Sequence, residues 1–252
     1  MLDPAPTAIV TGSSSGIGKA IAIRLACEGY HVALNYSSDD TRAQDALAEC
    51  REIDPESIMV KADLRDPAAA EALVWQVGEK FGRIDVLINN AALVIDKAAL
   101  DMTLEDWDSV INVNLRGAFF ASQEAARVML TQDEGGTILN IGASTGIRGR
   151  RNGVNTCASK AGLMIMTQCL ALEWAPKVRV NTIVPGLIVT EETERRFGLD
   201  DATEAASRAK KVPLGRLGQP QDVADAIMLL LSAEARFVTG QKLAVDGGQN
   251  MW

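Results

Sequence analysis

One histidine, two tyrosines and four cysteines are spread over 252 residues, and each scarcity removes a class of chemistry. With His31 as the only histidine and no CxxC pair among Cys27, Cys50, Cys157 and Cys169, a zinc site has little to build on, and no metal is expected. The same spacing argues for free thiols in a reducing compartment. Basic residues are outnumbered 25 to 33, a net charge of −8, which disfavours nucleic acid and anionic membrane as partners. Apolar runs of about 18 residues are missing, so no membrane-spanning helix is expected. The opening Met1-Leu2-Asp3-Pro4-Ala5-Pro6 has an acid and two prolines where a secretion signal needs a basic and then an apolar run. A cytoplasmic location is the expectation. Prolines number only 8 and apolar residues make up 47%, which excludes a disordered chain and leaves room for a large core.

What is present is a rhythm. Thr7–Thr11, His31–Tyr36, Ser57–Lys61, Ile84–Asn89, Thr137–Gly142, Val178–Val184 and Lys242–Val245 read as strands, several without polar alternation, as for strands covered on both faces. Helical patterns lie between them, at about 17–29, 39–52, 67–81, 104–131, 153–174 and 220–232. Strand–helix alternation implies right-handed crossovers and a parallel, doubly wound α/β sheet. No linker or repeat divides residues 1–252, so one domain is expected. Residues 186–215 break the rhythm. They are long, charged and interrupted by Gly198 and Pro213, and read either as a mobile lid over a ligand or as a solvated helical hairpin.

The first strand runs into Thr11-Gly12-Ser13-Ser14-Ser15-Gly16-Ile17-Gly18 and then a helix. Glycines at such a junction permit a tight turn and let backbone N–H groups approach a pyrophosphate at the helix N-terminus. The spacing is G-x-x-x-G-x-G, and its position after the first strand of a Rossmann-like pattern points to a nucleotide. Asp63-Leu64, Asn89-Asn90-Ala91, Asn112-Val113-Asn114, Lys160-Ala161-Gly162, Arg179-Val180-Asn181, Pro185-Gly186 and Asp246-Gly247-Gly248 follow in order. With these segments the chain resembles the short-chain dehydrogenase/reductase family over its whole length, most of all the acyl-carrier-protein ketoreductase and glucose dehydrogenase branches.

The resemblance implies a Rossmann-type domain with a seven-stranded parallel sheet in the order 3-2-1-4-5-6-7. It also implies a homotetramer joined through helices 104–131 and 153–174 and the last strand. Gly12, Ser14, Ser15, Gly16, Ile17 and Gly18 would hold the cofactor's phosphates. Asp63 and Leu64 would meet the adenine, and Asn89 and Ala91 would lie along the cofactor. Pro185, Gly186 and Thr190 would meet the nicotinamide amide, and Asn90 would be structural. The family's usual machinery is a tyrosine that protonates a carbonyl, a lysine four residues later, a serine that polarises the carbonyl, and an asparagine that holds a water relay. Only Asn114 and Lys160 match it. Thr156 stands at the tyrosine position and Ala143 at the serine position, with Ser144 one residue late.

The loss is severe. A phenol has a pKa of about 10 and is tunable by a neighbouring cation, whereas an aliphatic hydroxyl is a far weaker acid. Thr156's oxygen ends about 4 Å short of a phenol's, so it would act only through a water. Both tyrosines lie within the first 36 residues. Candidate replacements are Lys160 acting itself, Ser144 if a bulge at the strand end re-aims it, and, with less support, Cys157, which reads better as a small buried hydrophobe.

For the cofactor, Leu34-Asn35-Tyr36-Ser37-Ser38 lacks the acid that an NAD site places at the second strand's tip, and the next acids are Asp39 and Asp40. Ser15 and Ser37 stand where NADP-preferring relatives often carry arginine, with Arg42 near. NADP(H) is favoured and NAD(H) is the second choice. Arg148, Arg150 and Arg151 could receive a carboxylate or phosphate, or form a solvated turn or a subunit salt bridge. His31 reads as structural, and Trp107 and Trp174 as interface or core. Two functions stand: an NAD(P)(H)-dependent oxidoreductase acting on a small carbonyl or alcohol through a non-standard proton relay, or a catalytically silent cofactor-binding member that serves as sensor or partner subunit. A lyase or isomerase in the same pocket is a third.

Overall fold

Thr7–Val10 (β1) is buried at all four positions, as a strand covered on both faces must be. In this computed structural model, which describes residues 5–251, β1 lies inside a sheet with β2 (His31–Tyr36), β3 (Ile58–Lys61), β4 (Val86–Asn89), β5 (Gly136–Ile141), β6 (Val178–Pro185) and β7 (Lys242–Val245). Met1–Pro4, part of the opening stretch read above, and Trp252 lie outside the described residues. Every pairing is parallel and the order is β3-β2-β1-β4-β5-β6-β7, as the sequence implied. Strand order reverses between β1 and β4, and the carboxyl ends of these two strands open the crevice in which such sheets bind ligands.

The two faces bury separate cores. Helices α1 (Gly16–Cys27) and α10 (Pro220–Leu231) set Ile21, Leu25, Val223 and Ile227 on one face of the sheet. On the other face lie α3 (Pro67–Phe81), with Leu73 and Val77, and α5 (Ala118–Met129), with Met129. The second strand leads into α2 (Asp40–Arg51), whose first turn Asp39 caps through the Arg42 N–H. His31 meets Asp54 at 3.1 Å and stacks on Phe81, a structural engagement on the side of the sheet away from the crevice.

Two elements differ from the sequence reading. The single helix expected over 104–131 is α4 (Leu104–Ile111), a π-helical turn Asn112–Gly117, and α5. The turn ends at a close approach: a Cβ on Gly117 would lie 2.4 Å from the Leu64 carbonyl oxygen, so the backbone passes there at contact distance. Such π-turns recur at functional sites. An unanticipated short helix, α6 (Thr145–Arg148), follows β5, ahead of α7 (Val154–Trp174). Residues 186–215 carry two helices, α8 (Glu191–Phe197) and α9 (Ala202–Ala209), over a small cluster of Leu199, Val212 and Leu217. A bridge between Ile188 and Gly218 closes the base of this segment.

Candidate functional site

The cradle starts from Thr11. Its hydroxyl accepts the N–H groups of Asn90 and Ala91 at 3.0 Å each, and the Asn90 amide donates to the carbonyls of Thr11 and Gly12 at 2.9 Å. These bonds tie the tips of β1 and β4 together. Gly12 has φ +60 and a Cβ there would lie 2.8 Å from Ala91 Cα, so only glycine fits. A Cβ on Gly18 would lie 2.4 Å from the Gly12 oxygen, which keeps the first turn of α1 against the loop. Ser13 turns inward and donates to the Val10 carbonyl at 2.8 Å. Ser15, Gly16 and Ile17 are left facing a cavity of about 950 Å³, and Ser14 an adjoining recess of about 680 Å³.

The cavity brings together most of the residues singled out in sequence. It runs from Ser37 past Asp63, Leu64 and Ala91 to Lys160, Pro185, Gly186 and Thr190. Arg65 chelates the Asp63 carboxylate, with contacts down to 2.5 Å, and its guanidinium holds Asp63 below the usual carboxylate range. Two candidates lie behind the wall instead. Asn89 donates to Ser122 and Asn140 at 2.8 Å each, and its Oδ1 is buried without a partner. Asn114, on the π-turn, accepts the Leu93 N–H at 2.7 Å and donates to the Leu93 carbonyl and to Ser159. Ser159 in turn donates to the Thr156 carbonyl at 2.9 Å, so it links Asn114 to the helix that carries Thr156 and Lys160. Sequence reasoning passed over Ser159, although its place three residues after Thr156 on a helix puts the two on one face.

Lys160 is 5% exposed, and its Nζ donates to the Ile141 carbonyl at 2.6 Å. Burial pushes its pKa down from 10.5 to about 8. One turn earlier, the Thr156 N–H and hydroxyl both meet the Asn155 Oδ1, at 2.7 and 3.4 Å, which directs the hydroxyl sideways. Ala143 and Ser144 both line the cavity, but the bulge proposed to re-aim Ser144 is absent. The ladder pairs Gly136–Ile141 with Val178–Ile183 without an inserted residue, and Gly142 donates to Ile183 at 2.7 Å. Ser144 therefore begins α6, and Ala143 keeps the position at the strand end. Cys157 is half-buried and does not line the cavity.

The three arginines after β5 separate. Arg148 and Arg150 line the cavity and Arg151 does not. Arg150 pairs with Asp96, a residue that sequence reasoning missed, and Asp96 also pairs with Arg196 on α8. Burial raises the Asp96 pKa, but the two guanidinium groups outweigh it and leave the carboxyl below its usual range. At the other end, Arg42 lies 3.5 Å from Asp39 and 3.3 Å from Glu191, and Lys19 pairs with Glu49 at 2.6 Å. Segment 186–215 is thus held to both ends of the cavity.

A family model described as enoyl-(acyl carrier protein) reductase matches residues 12–250. The crystal structure of a short chain dehydrogenase from Bacillus anthracis superposes with a TM-score of 0.87 at 34% identity, over 98% of this chain and 97% of that one. The chain belongs to the short-chain dehydrogenase/reductase family of oxidoreductases. Among curated members, the 3-oxoacyl-[acyl-carrier-protein] reductase of Synechocystis is 39% identical over 250 residues, covering 98% of both chains. Glucose 1-dehydrogenase 2 of Bacillus subtilis is 38% identical over 250 residues, covering 98% of this chain and 95% of that one. In this short-chain dehydrogenase/reductase no helix among the described residues is long and apolar enough to cross a membrane.

Proposed function

We propose that the protein is an NAD(P)(H)-dependent oxidoreductase that acts on a carbonyl or alcohol substrate through a proton relay lacking the usual tyrosine and serine. The observation that carries this reading is Lys160, buried in the wall of the cavity with its Nζ on the Ile141 carbonyl, a pKa of about 8 and no acidic partner among the described residues. The residues present fit a dinucleotide: Gly12 and Gly18 let the loop pack against Ala91 and against the first turn of α1, which leaves Ser15, Gly16 and Ile17 facing the cavity at the helix N-terminus. Gly12, Ser15, Gly16 and Ile17 would hold its phosphates, Asp63 and Leu64 its adenine, and Pro185, Gly186 and Thr190 its nicotinamide, as in the relatives. When bound, that group supplies hydride exchange with the substrate carbon.

The chain supplies the rest. A threonine hydroxyl is too weak an acid to protonate an alkoxide-like oxygen at neutral pH, whereas a lysine ammonium with a pKa of about 8 is well matched to the task. Lys160 is assigned the proton, delivered directly or through a water between it and Thr156. Asn114 and Ser159 position the helix and π-turn around it. NADP(H) is favoured over NAD(H), because Ser15, Ser37 and Arg42 line the cavity and no carboxylate stands at the tip of β2 before Asp39, although Arg42 and Lys19 share their recess with Asp39, Glu49 and Glu191. Segment 186–215 closes over the substrate, and the working form is a cytoplasmic homotetramer.

A second reading has its own support. Ala143 has no side chain to polarise a carbonyl and Thr156's hydroxyl is turned to Asn155, which is what a silent cofactor-binding member would show. Titration with NADPH and NADH, followed by nicotinamide fluorescence, tests the shared premise; no saturable signal with either removes both readings. A panel of carbonyl compounds with NADPH then separates them. Turnover that Lys160→Ala abolishes supports the oxidoreductase, and none in either protein supports the silent member.

A further inference from the structure

The net charge is −8, yet the part of the cavity wall built by residues 148–150 and by α8 carries four arginines, Arg148, Arg150, Arg195 and Arg196. Arg148 lines it and meets no acidic side chain among the described residues. Arg195, from α8, lines it and bonds only the Glu191 carbonyl, at 3.2 Å. Arg150 and Arg196 share a single carboxylate, that of Asp96. The one lining acid in this region without a basic partner among the described residues is Glu192. The placement bears on the reacting centre: a Cβ on Gly153 would lie 2.5 Å from the Arg150 guanidinium carbon, and Gly153 is three residues before Thr156. A guanidinium therefore packs at the N-terminus of the helix that carries Thr156 and Lys160. On the lid, the Phe197 ring has Arg196 at 5.1 Å and Arg208 at 4.8 Å, an apolar surface framed by cations.

We infer that the cavity selects a substrate that bears an oxyanion, a carboxylate or phosphate, beside its carbonyl or alcohol group, and that Arg148 and Arg195 receive that anion. This rests on the oxidoreductase reading for the reacting group, while the anion site stands on the arginines alone. The chemistry is that of forked N–H donors, which match the two oxygens of a carboxylate or phosphate and form charge-assisted bonds. Asp96 already shows the cavity's preference: it is a carboxylate clasped between guanidinium groups that come from two separate segments. A neutral sugar or thioester would leave Arg148 and Arg195 without a partner of opposite charge.

The test is calorimetric binding to the protein with and without NADP⁺, using matched pairs of probes. Benzoylformate against its methyl ester reads a carboxylate, and dihydroxyacetone phosphate against dihydroxyacetone reads a phosphate. In at least one pair the anion should bind about tenfold tighter or more, the worth of a charge-assisted bond. The double variant Arg148→Ala/Arg195→Ala should erase that preference and leave the binding of NADP⁺ and of the neutral probes unchanged. Asp96→Asn, which frees two guanidinium groups, should widen it. Equal binding within both pairs, no binding of either anion, or a preference that survives the double change overturns the inference. Because binding is read, a protein that prefers anions yet turns none over counts against the oxidoreductase reading alone.

Discussion

On the family resemblance, Thr156 and Ala143 stand where the proton-handling tyrosine and serine would be, and both side chains are small. Restoring Ala143→Ser and Thr156→Tyr together should raise NADPH-dependent reduction of a carbonyl panel by about 10²–10⁴-fold, with the double change exceeding either single one. If the double variant folds, binds NADPH and reduces nothing, the pocket has diverged beyond its relay. Lys160 has its own signature. Its folded pKa of about 8 lies below the ordinary 10.5, so between these values the unfolded chain keeps a proton that the folded chain has lost. Stability on this account rises with pH from 8 to 10.5, and below pH 8 the cost of a buried ammonium is fully present. Lys160→Met should therefore be more stable than the parent at pH 7 by about 1–3 kcal/mol, and urea titrations should show the gap shrinking towards pH 10. Arg42→Ala should weaken NADPH binding more than NADH binding, because only the former carries the 2′-phosphate.

Among the elements, α8 depends most on its ion pairs. Its ion pairs are Arg196 to Asp96 and Glu191 to Arg42, and beside them only Phe197 packs, half-buried, on the Leu199, Val212 and Leu217 cluster, while Thr193 bonds the Ile188 carbonyl at 2.7 Å. Exposed pairs are worth about 0–1 kcal/mol each, so α8 is held in part by weak interactions, as the proposed lid role would need. Asp96→Asn should speed amide exchange in Glu191–Phe197 severalfold and leave exchange in β5 and β6 unchanged. Equal protection of α8 in both proteins would show that the Leu199, Val212 and Leu217 cluster holds it instead. The π-turn makes a similar point about position. Asn114 reaches Leu93 and Ser159 because the helix widens there.

At the scale of the whole molecule, α7 presents Ile165 at 58% and Leu172 at 84% exposure, seven residues apart and so on one face. An apolar face of that kind on a long helix suits burial against a second copy. Light scattering at micromolar concentration should return about four times the 26.9 kDa of one chain, and Leu172→Glu should lower the assembly state. A monomer in the parent protein would refute the tetramer.

Much of this was legible without coordinates. Seven short apolar runs that alternate with amphipathic segments admit few arrangements, because parallel strands need right-handed crossovers; the sheet order follows from that rule together with the ordered motifs. Thr11 to Gly18 announced a cradle, since glycine at such a junction answers to local backbone geometry. That Ala143 follows the end of β5 and Thr156 lies one turn before Lys160 was legible for the same reason: position along a strand or helix is a local property. Tertiary structure alone decided the rest. The absence of a bulge before Ser144 depends on the register of β5 against β6, 42 residues away at its first pair. Asp96 meets partners 54 and 100 residues distant, and no periodicity in a chain encodes a contact between three separate segments. Burial of Lys160, and with it the lowered pKa, exists only once β5, α7 and the crevice have closed around it, because desolvation is a property of the packed surroundings and not of the residue.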